Sequence, residues 1–202
     1  MKMKKIINMI FLLIITSCSD DNTNESIHNL PAVTQNGSNT FGYKVNNKVF
    51  IPRDSDPTGY GVAKGAKFKA GYPNPTDFYE IDIHDYKSYR TSQILIHLEN
   101  VDILGTGNYK IDESNGASDI NGLNHNYLHC RIFDEKTKSY QYYRSFEKSG
   151  NLTITTYNLN DRMISGTFNC EAVNSTNNLD TIKIKDGRFD FKWDTLSSTA
   201  FP

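Results

Sequence analysis

The stretch Tyr79-Glu80-Ile81-Asp82-Ile83-His84 decides the fold. Tyr79, Ile81 and Ile83 share one parity; Glu80, Asp82 and His84 take the other. A period of two belongs to a strand, with one face predicted buried and the other wet. The same alternation recurs outward along the chain. Ile94, Ile96 and Leu98 alternate within residues 92–99, and Leu128, Cys130 and Ile132 within 127–133. Leu152 and Ile154, then Ile164, Gly166, Phe168, Cys170 and Ala172, then Ile182 and Ile184 follow suit. Phe189, Phe191 and Trp193 complete the series after Gly187, which marks a bulge or tight turn.

Further strands are expected at 140–146 and, more weakly, at 67–72. Residues 40–45 and 48–51 flank Asn46-Asn47 as a hairpin, because Asn accepts the positive φ of a two-residue primed turn. No run after residue 17 carries a convincing helical period. The prediction is an all-β domain over 39–202, a single antiparallel sandwich or barrel of about ten strands. Residues 52–65 and 114–126 read as long loops.

The chain opens with Lys2, Lys4 and Lys5, an apolar run over 6–15 broken only by Asn8, and then Thr16-Ser17-Cys18. That order is a secretory signal peptide over 1–17, and its apolar run falls short of the roughly 20 residues of a membrane-spanning helix. Ile15-Thr16-Ser17-Cys18 resembles a bacterial lipobox, which implies acylation of Cys18. Each buried CH₂ contributes about 0.8 kcal/mol, so two or more acyl chains hold a protein at a membrane where one does not. Ser19 in the sorting position favours the outer membrane, and the pair Asp20-Asp21 resembles a surface-export signal of Bacteroidota lipoproteins. The periplasmic and external faces both stay open. Residues 18–38 are rich in Ser, Asn, Asp and Thr, with only Ile27, Leu30 and Val33 large and apolar, so they are expected to form a flexible tether.

Composition narrows the function classes. Of 202 residues, 22 are basic and 23 acidic, and the formal charge of −1 argues against a nucleic-acid partner. Three cysteines are present. With Cys18 acylated, Cys130 and Cys170 lie on apolar parity in an oxidising compartment, where either a disulfide or two separate core thiols is open. A bridge would close a loop of about 40 residues, worth roughly 4 kcal/mol.

Candidate chemistry is sparse. Asp82 and His84 on one strand face, followed by Asp85, and His97 on a neighbouring strand have the residue types of a zinc or acid–base site, yet parity opposite to Ile81 and Ile83 predicts a solvated outer face. His125 and His129 read as polar loop and outer-face residues. Asp54, Asp56 and Gly59 only faintly suggest a calcium loop, and Pro57 favours a turn. Gly59-Tyr60-Gly61 and Gly105-Thr106-Gly107 precede no helix, and no G-x-S-x-G elbow occurs. No cofactor or metal is expected. Tyr140, Tyr142 and Arg144 share one strand face with Phe146, while Tyr143 points the other way. Exposed Tyr and Arg are favoured contact residues, so these three are candidate ligand contacts, with Tyr60 and Tyr72 as neighbours of the same chemistry.

Two segments carry a resemblance. Leu30-Pro31-Ala32, Thr34, Asn39-Thr40-Phe41-Gly42 and Val45-Asn46 open the domain. Ile164-Ser165-Gly166-Thr167-Phe168, Glu171-Ala172-Val173-Asn174 and Asp186-Gly187-Arg188-Phe189-Asp190 close it. Together they are similar to a family of uncharacterised lipoproteins of flavobacteria and other Bacteroidota. That family often has Cys where this chain has Tyr43 and Gly where it has Asn47. The resemblance implies location and fold and no catalytic residues. The functional expectation is an outer-membrane-anchored, non-enzymatic binding or envelope-assembly module with the membrane, and a glycan or protein, as partners. The alternatives are a carbohydrate-binding module and a hydrolase with a dispersed site.

Overall fold

The computed structural model describes residues 29–71, 78–87 and 91–202. The signal peptide, Cys18, Ser19, Asp20, Asp21 and Tyr72 lie outside these residues. Among the described residues the chain forms β1 (Thr40–Val45), β2 (Lys48–Phe50), β3 (Ala66–Gly71), β4 (Phe78–His84) and β5 (Gln93–Glu99). It continues with α1 (Val101–Leu104), β6 (Gly107–Ile111), a 3-10 turn (Asp119–Asn121) and β7 (Tyr127–Asp134). β8 (Ser139–Asn158), β9 (Met163–Asn174), β10 (Asn177–Lys192) and α2 (Trp193–Leu196) complete it. The ten strands make one antiparallel sheet in the order β2-β1-β10-β9-β8-β7-β5-β4-β3, with β6 on the second half of β8.

The sheet rolls around its apolar face. Phe41 and Tyr43 of β1 share one core with Ile81 and Ile83 of β4 and with Ile94, Ile96 and Leu98 of β5, although these strands lie far apart in the sheet order. At one end the chain following β2 closes the roll. Arg53 forms a parallel bridge to Asp85, its N–H donates to His84 O at 3.1 Å, and its carbonyl accepts from Tyr86 N at 3.0 Å. The Arg53 guanidinium binds the Asp85 carboxylate through two nitrogens, at 2.7 and 2.5 Å. α2 covers β3 by stacking Trp193 on Phe68, with centroids 5.4 Å apart. A rolled single sheet therefore stands where sandwich and barrel were both open.

Local sequence explains most of the strands. Asn46 and Asn47 take φ of 50° and 64°, the two positive values of a primed hairpin turn. The alternating positions from Tyr79 to Phe191 fill the interior. Three differences have physical causes. The runs at 140–146 and 152–155 are one bent strand, because the register of β8 against β9 shifts between Ser145 and Gly150. The runs at 182–184 and 189–191 are likewise one strand, β10, with a bulge before Gly187 and Asp186 at φ 53°. A Cβ on Gly187 would meet the Phe168 ring at 2.6 Å, so the close approach requires glycine there. Trp193 leaves the strand parity and opens α2.

The last ten residues of the expected tether are held by the domain. Asp190, itself buried, accepts hydrogen bonds from Thr34 Oγ1 (2.7 Å) and from the backbone N–H groups of Asn36 (3.2 Å), Gly37 (2.8 Å) and Ser38 (3.0 Å). Ser165 Oγ adds a fifth at 2.7 Å. Burial raises the Asp190 carboxyl, but these donors outweigh it and hold its pKa below the usual value.

Cys130 and Cys170 are free, buried thiols, so the disulfide left open by their spacing is not formed. β8 separates their strands. Cys130 pairs with Tyr143 and Cys170 with Gly150, on either side of the bend in β8. Burial pushes both thiols up, Cys170 to about 11. They pack as small apolar groups.

Candidate functional site: a polar cleft on the second face of the sheet

The outward parity of β4 and β5 is polar, as the sequence predicts, but it is not solvated. Glu80 is 0% exposed and His97 1%, and Asp82 and Glu99 are also buried. The segment 112–126 crosses this face and covers it. Tyr127 donates from its hydroxyl to Ala117 O at 2.9 Å, Asp119 N–H donates to Glu80 Oε1 at 2.7 Å, and Asn126 Oδ1 accepts from Glu99 N at 2.9 Å. Alternation reports which side chains share a face, not what lies over that face.

Under the cover, cross-strand register places Glu80, His97 and Tyr127 in one row. His97 Nδ1 lies 3.1 Å from Glu80 Oε1, and Nε2 lies 3.0 Å from Glu99 Oε1. An ionised carboxylate only accepts, so these two contacts share two protons among three groups. The imidazole is sandwiched between the rings of Phe78 (4.8 Å) and Tyr127 (4.5 Å). Burial raises the Glu80 carboxyl; the hydrogen bonds from His97 and from the Asp119 N–H outweigh it and leave the pKa lowered. Both ring nitrogens are engaged and both ring faces covered, so no side of His97 is open to a substrate.

The neighbouring pair is also structural in its contacts. His84 Nε2 lies 2.9 Å from Asp82 Oδ1, which also accepts from Gln93 Nε2 at 3.1 Å. Burial raises Asp82, and its hydrogen bonds to His84 and Gln93 more than reverse the shift. Asp85 is engaged by Arg53 and does not join them. The solvated face expected for Asp82 and His97 is therefore corrected: covered polar rows replace it. Asp54 is a pin within its loop and accepts from Gly65 N at 2.7 Å and Lys64 Nζ at 3.1 Å. Among the described residues no three His, Cys, Asp or Glu side chains gather as a metal site. His125 contacts Glu113 O at 2.8 Å within the covering segment.

Beyond the cover, the same face opens into a cleft of about 200 Å³. Its floor is the next set of rows. Gln93 (β5), Arg131 (β7) and Tyr142 (β8) are in register, and so are His129 (β7) and Arg144 (β8). Gly116 forms one wall, at φ +77°. The guanidinium of Arg144 packs against this backbone, where a Cβ would lie 2.7 Å from Cζ, and the positive φ favours glycine there.

Arg131 donates from Nη2 to Thr91 Oγ1 at 3.0 Å, and its guanidinium lies 4.8 Å from the centroid of Tyr140. Its Nε is buried with no hydrogen-bond partner. Arg144 has no hydrogen-bonded or ion-paired partner among the described residues. His129 shares a contact with Ser114 Oγ at 3.2 Å, and burial lowers its pKa, with the Arg144 charge acting in the same direction. Tyr142 is 53% exposed at the mouth.

Of the sequence-predicted contacts, the fold brings Tyr142 and Arg144 together in the cleft. Tyr140 stands behind them, against Arg131 and edge-on to Phe133. Tyr60 stands fully exposed on the loop between β2 and β3, outside the cleft. Arg131, Gln93 and Gly116 were not read from the sequence. Arg131 does share outward parity with His129, but its place beside Tyr142 depends on the pairing of β7 with β8. Comparison with known proteins returned no match to any family model, curated protein or solved structure.

Proposed function

We propose that this chain is a lipid-anchored module of the outer membrane that binds a small ligand without transforming it, and that the cleft of Gln93, Arg131, Tyr142 and Arg144 is where it binds. The observation that carries this reading is the unpaired Arg144 guanidinium in a cleft built on three hydrogen-bonded strands. Side chains on strands are held more rigidly than those on loops, so the charge is presented in a fixed place. The imidazole with carboxylate neighbours, His97, is sealed, and the cleft itself presents Arg131, Arg144, Tyr142, Gln93 and His129, whose ring already contacts Ser114 Oγ. The anchor rests on the lipobox ending at Cys18, and the acidic pair Asp20-Asp21 supports the external face.

A glycan is the favoured ligand class, because Tyr142 offers an exposed aromatic surface beside hydrogen-bonding groups. A glycan array probed with the full-length lipoprotein and with Tyr142→Ala tests it. Binding that the substitution abolishes supports the reading, and binding that is unchanged moves the site elsewhere. In cells, Cys18→Ala is expected to abolish palmitate labelling and membrane retention. Persistent labelling would overturn the anchor.

A further inference from the structure

The cleft's charge identifies its ligand more closely than its aromatic surface does. Resting on the binding reading above, the geometry points to a sugar that carries an oxyanion, such as a carboxylate, with the oxyanion on Arg131 and Arg144 and the ring against Tyr142. Because Arg131 pairs with Tyr142 and His129 with Arg144, the two arginines are diagonal neighbours on one face of β7 and β8. Diagonal neighbours stand about 7–8 Å apart, within reach for two long side chains to converge on one group. Among the described residues no carboxylate is hydrogen-bonded or ion-paired to either guanidinium. Asp82, an acid on this face, is engaged with His84 and Gln93, with Lys69 at 3.8 Å. Asp85 is committed to Arg53.

The cleft therefore holds two guanidiniums whose carboxylate partner the described residues do not supply. A guanidinium presents a planar fork of donors that matches a carboxylate or phosphate. The volume of about 200 Å³ is below the roughly 300–1,000 Å³ of sites for drug-sized ligands, so it suits one charged sugar residue, not a long stretch of polymer. Gly116 closes one side, which leaves Tyr142 at the rim as the surface on which a ring can lie.

Titration calorimetry on the full-length acylated protein in detergent tests this with three probes: galacturonate, galactose and inorganic phosphate. Galacturonate is expected to bind at least about tenfold more tightly than galactose and to weaken as salt is raised, since the contact is charge-assisted. Arg144→Gln and Arg131→Gln should each cost about tenfold or more toward galacturonate. Arg144→Lys, which keeps the charge but loses the fork, should fall between Arg144→Gln and the unchanged protein. Tyr142→Ala should weaken galacturonate and leave phosphate unchanged. Thermal melts of each variant show that it is folded.

Equal affinity for galacturonate and galactose would overturn the oxyanion while leaving a sugar-binding cleft. Phosphate binding as tight as galacturonate, with galacturonate indifferent to Tyr142→Ala, would overturn the sugar and leave a free-anion site. No response to any probe, together with a silent array, would overturn both this inference and the binding reading.

Discussion

His97 and Arg144 lie on the same face of the same sheet, two strands apart, and their surroundings are opposites. His97 has a carboxylate at each ring nitrogen and an aromatic ring on each side. Arg144 has a bare glycine against its guanidinium and, among the described residues, no hydrogen-bonded or ion-paired partner. The first cluster ties both nitrogens of its imidazole to carboxylates and leaves Glu80 Oε2 buried without a hydrogen bond, and its contacts to Asp119 and Asn126 seat segment 112–126 on the sheet. The second leaves the half-buried Arg144 guanidinium without such a tie among the described residues. A charge whose partners the chain supplies is tied into the fold, and one without them stays open to solvent or a ligand.

The largest test of this contrast is His97→Ala. It leaves Glu80 and Glu99 buried without their shared partner, and breaking a buried charge pair costs about 3–5 kcal/mol. Urea unfolding followed by circular dichroism should show the midpoint fall accordingly. A loss under about 1 kcal/mol would mean that water reaches the cluster and that the cover is loose.

Acid should act on the two regions in sequence. His129 has a lowered pKa in the folded protein, so the unfolded chain takes up its proton first as pH falls below about 6.5. Stability associated with neutral His129 is complete above that pH and drains as pH falls toward the folded value. Glu80 and Asp82 are also lowered, from ordinary values of 4.5 and 3.8. Their contribution is complete above those values and is lost as pH falls through the folded ones. Urea midpoints measured from pH 7 to pH 3 should therefore decline gently at first and steeply below about pH 4.5. His129→Gln should flatten the upper part only. A profile flat to pH 3 would contradict the burial of the carboxylate cluster.

The smallest expected effect is that of Arg144→Gln on stability, within about 0.5 kcal/mol of the unchanged protein, because no internal partner is lost. A cost near that of His97→Ala would show that Arg144 belongs to the fold, and the contrast between the two clusters would disappear.

Much of the architecture was legible residue by residue. The Asn46-Asn47 turn and the inward alternation of Ile81, Ile83, Ile94 and Ile96 follow from backbone sterics and the two-residue period, both local properties. The unity of β8 and β10 was not legible. A bulge interrupts the period without ending the strand, so 140–146 and 152–155 read as two elements. β6 escaped notice because only Tyr109 and Ile111 carry its alternation. The docking of residues 34–38 was hidden by their polar composition. Their order comes from hydrogen bonds to Asp190, which lies more than 150 positions away.

The candidate site was half legible. Tyr142 and Arg144 were singled out by residue type and shared parity, and both line the cleft. Arg131 and Gln93 required the register of three strands, and Gly116 required the path of a segment with no periodic signal. The two polar faces on β4 and β7 looked equivalent as sequence, whereas one is sealed and the other open.

The amino-acid order alone determined an all-β antiparallel domain, its principal hairpin and the interior side of most strands, because these depend on steric and solvation preferences of adjacent residues. Only the tertiary structure decided which polar side chains are buried, that both thiols are buried and free, and which side chains line one cleft. Those outcomes depend on distances between strands and loops remote in sequence, and no local preference encodes such distances.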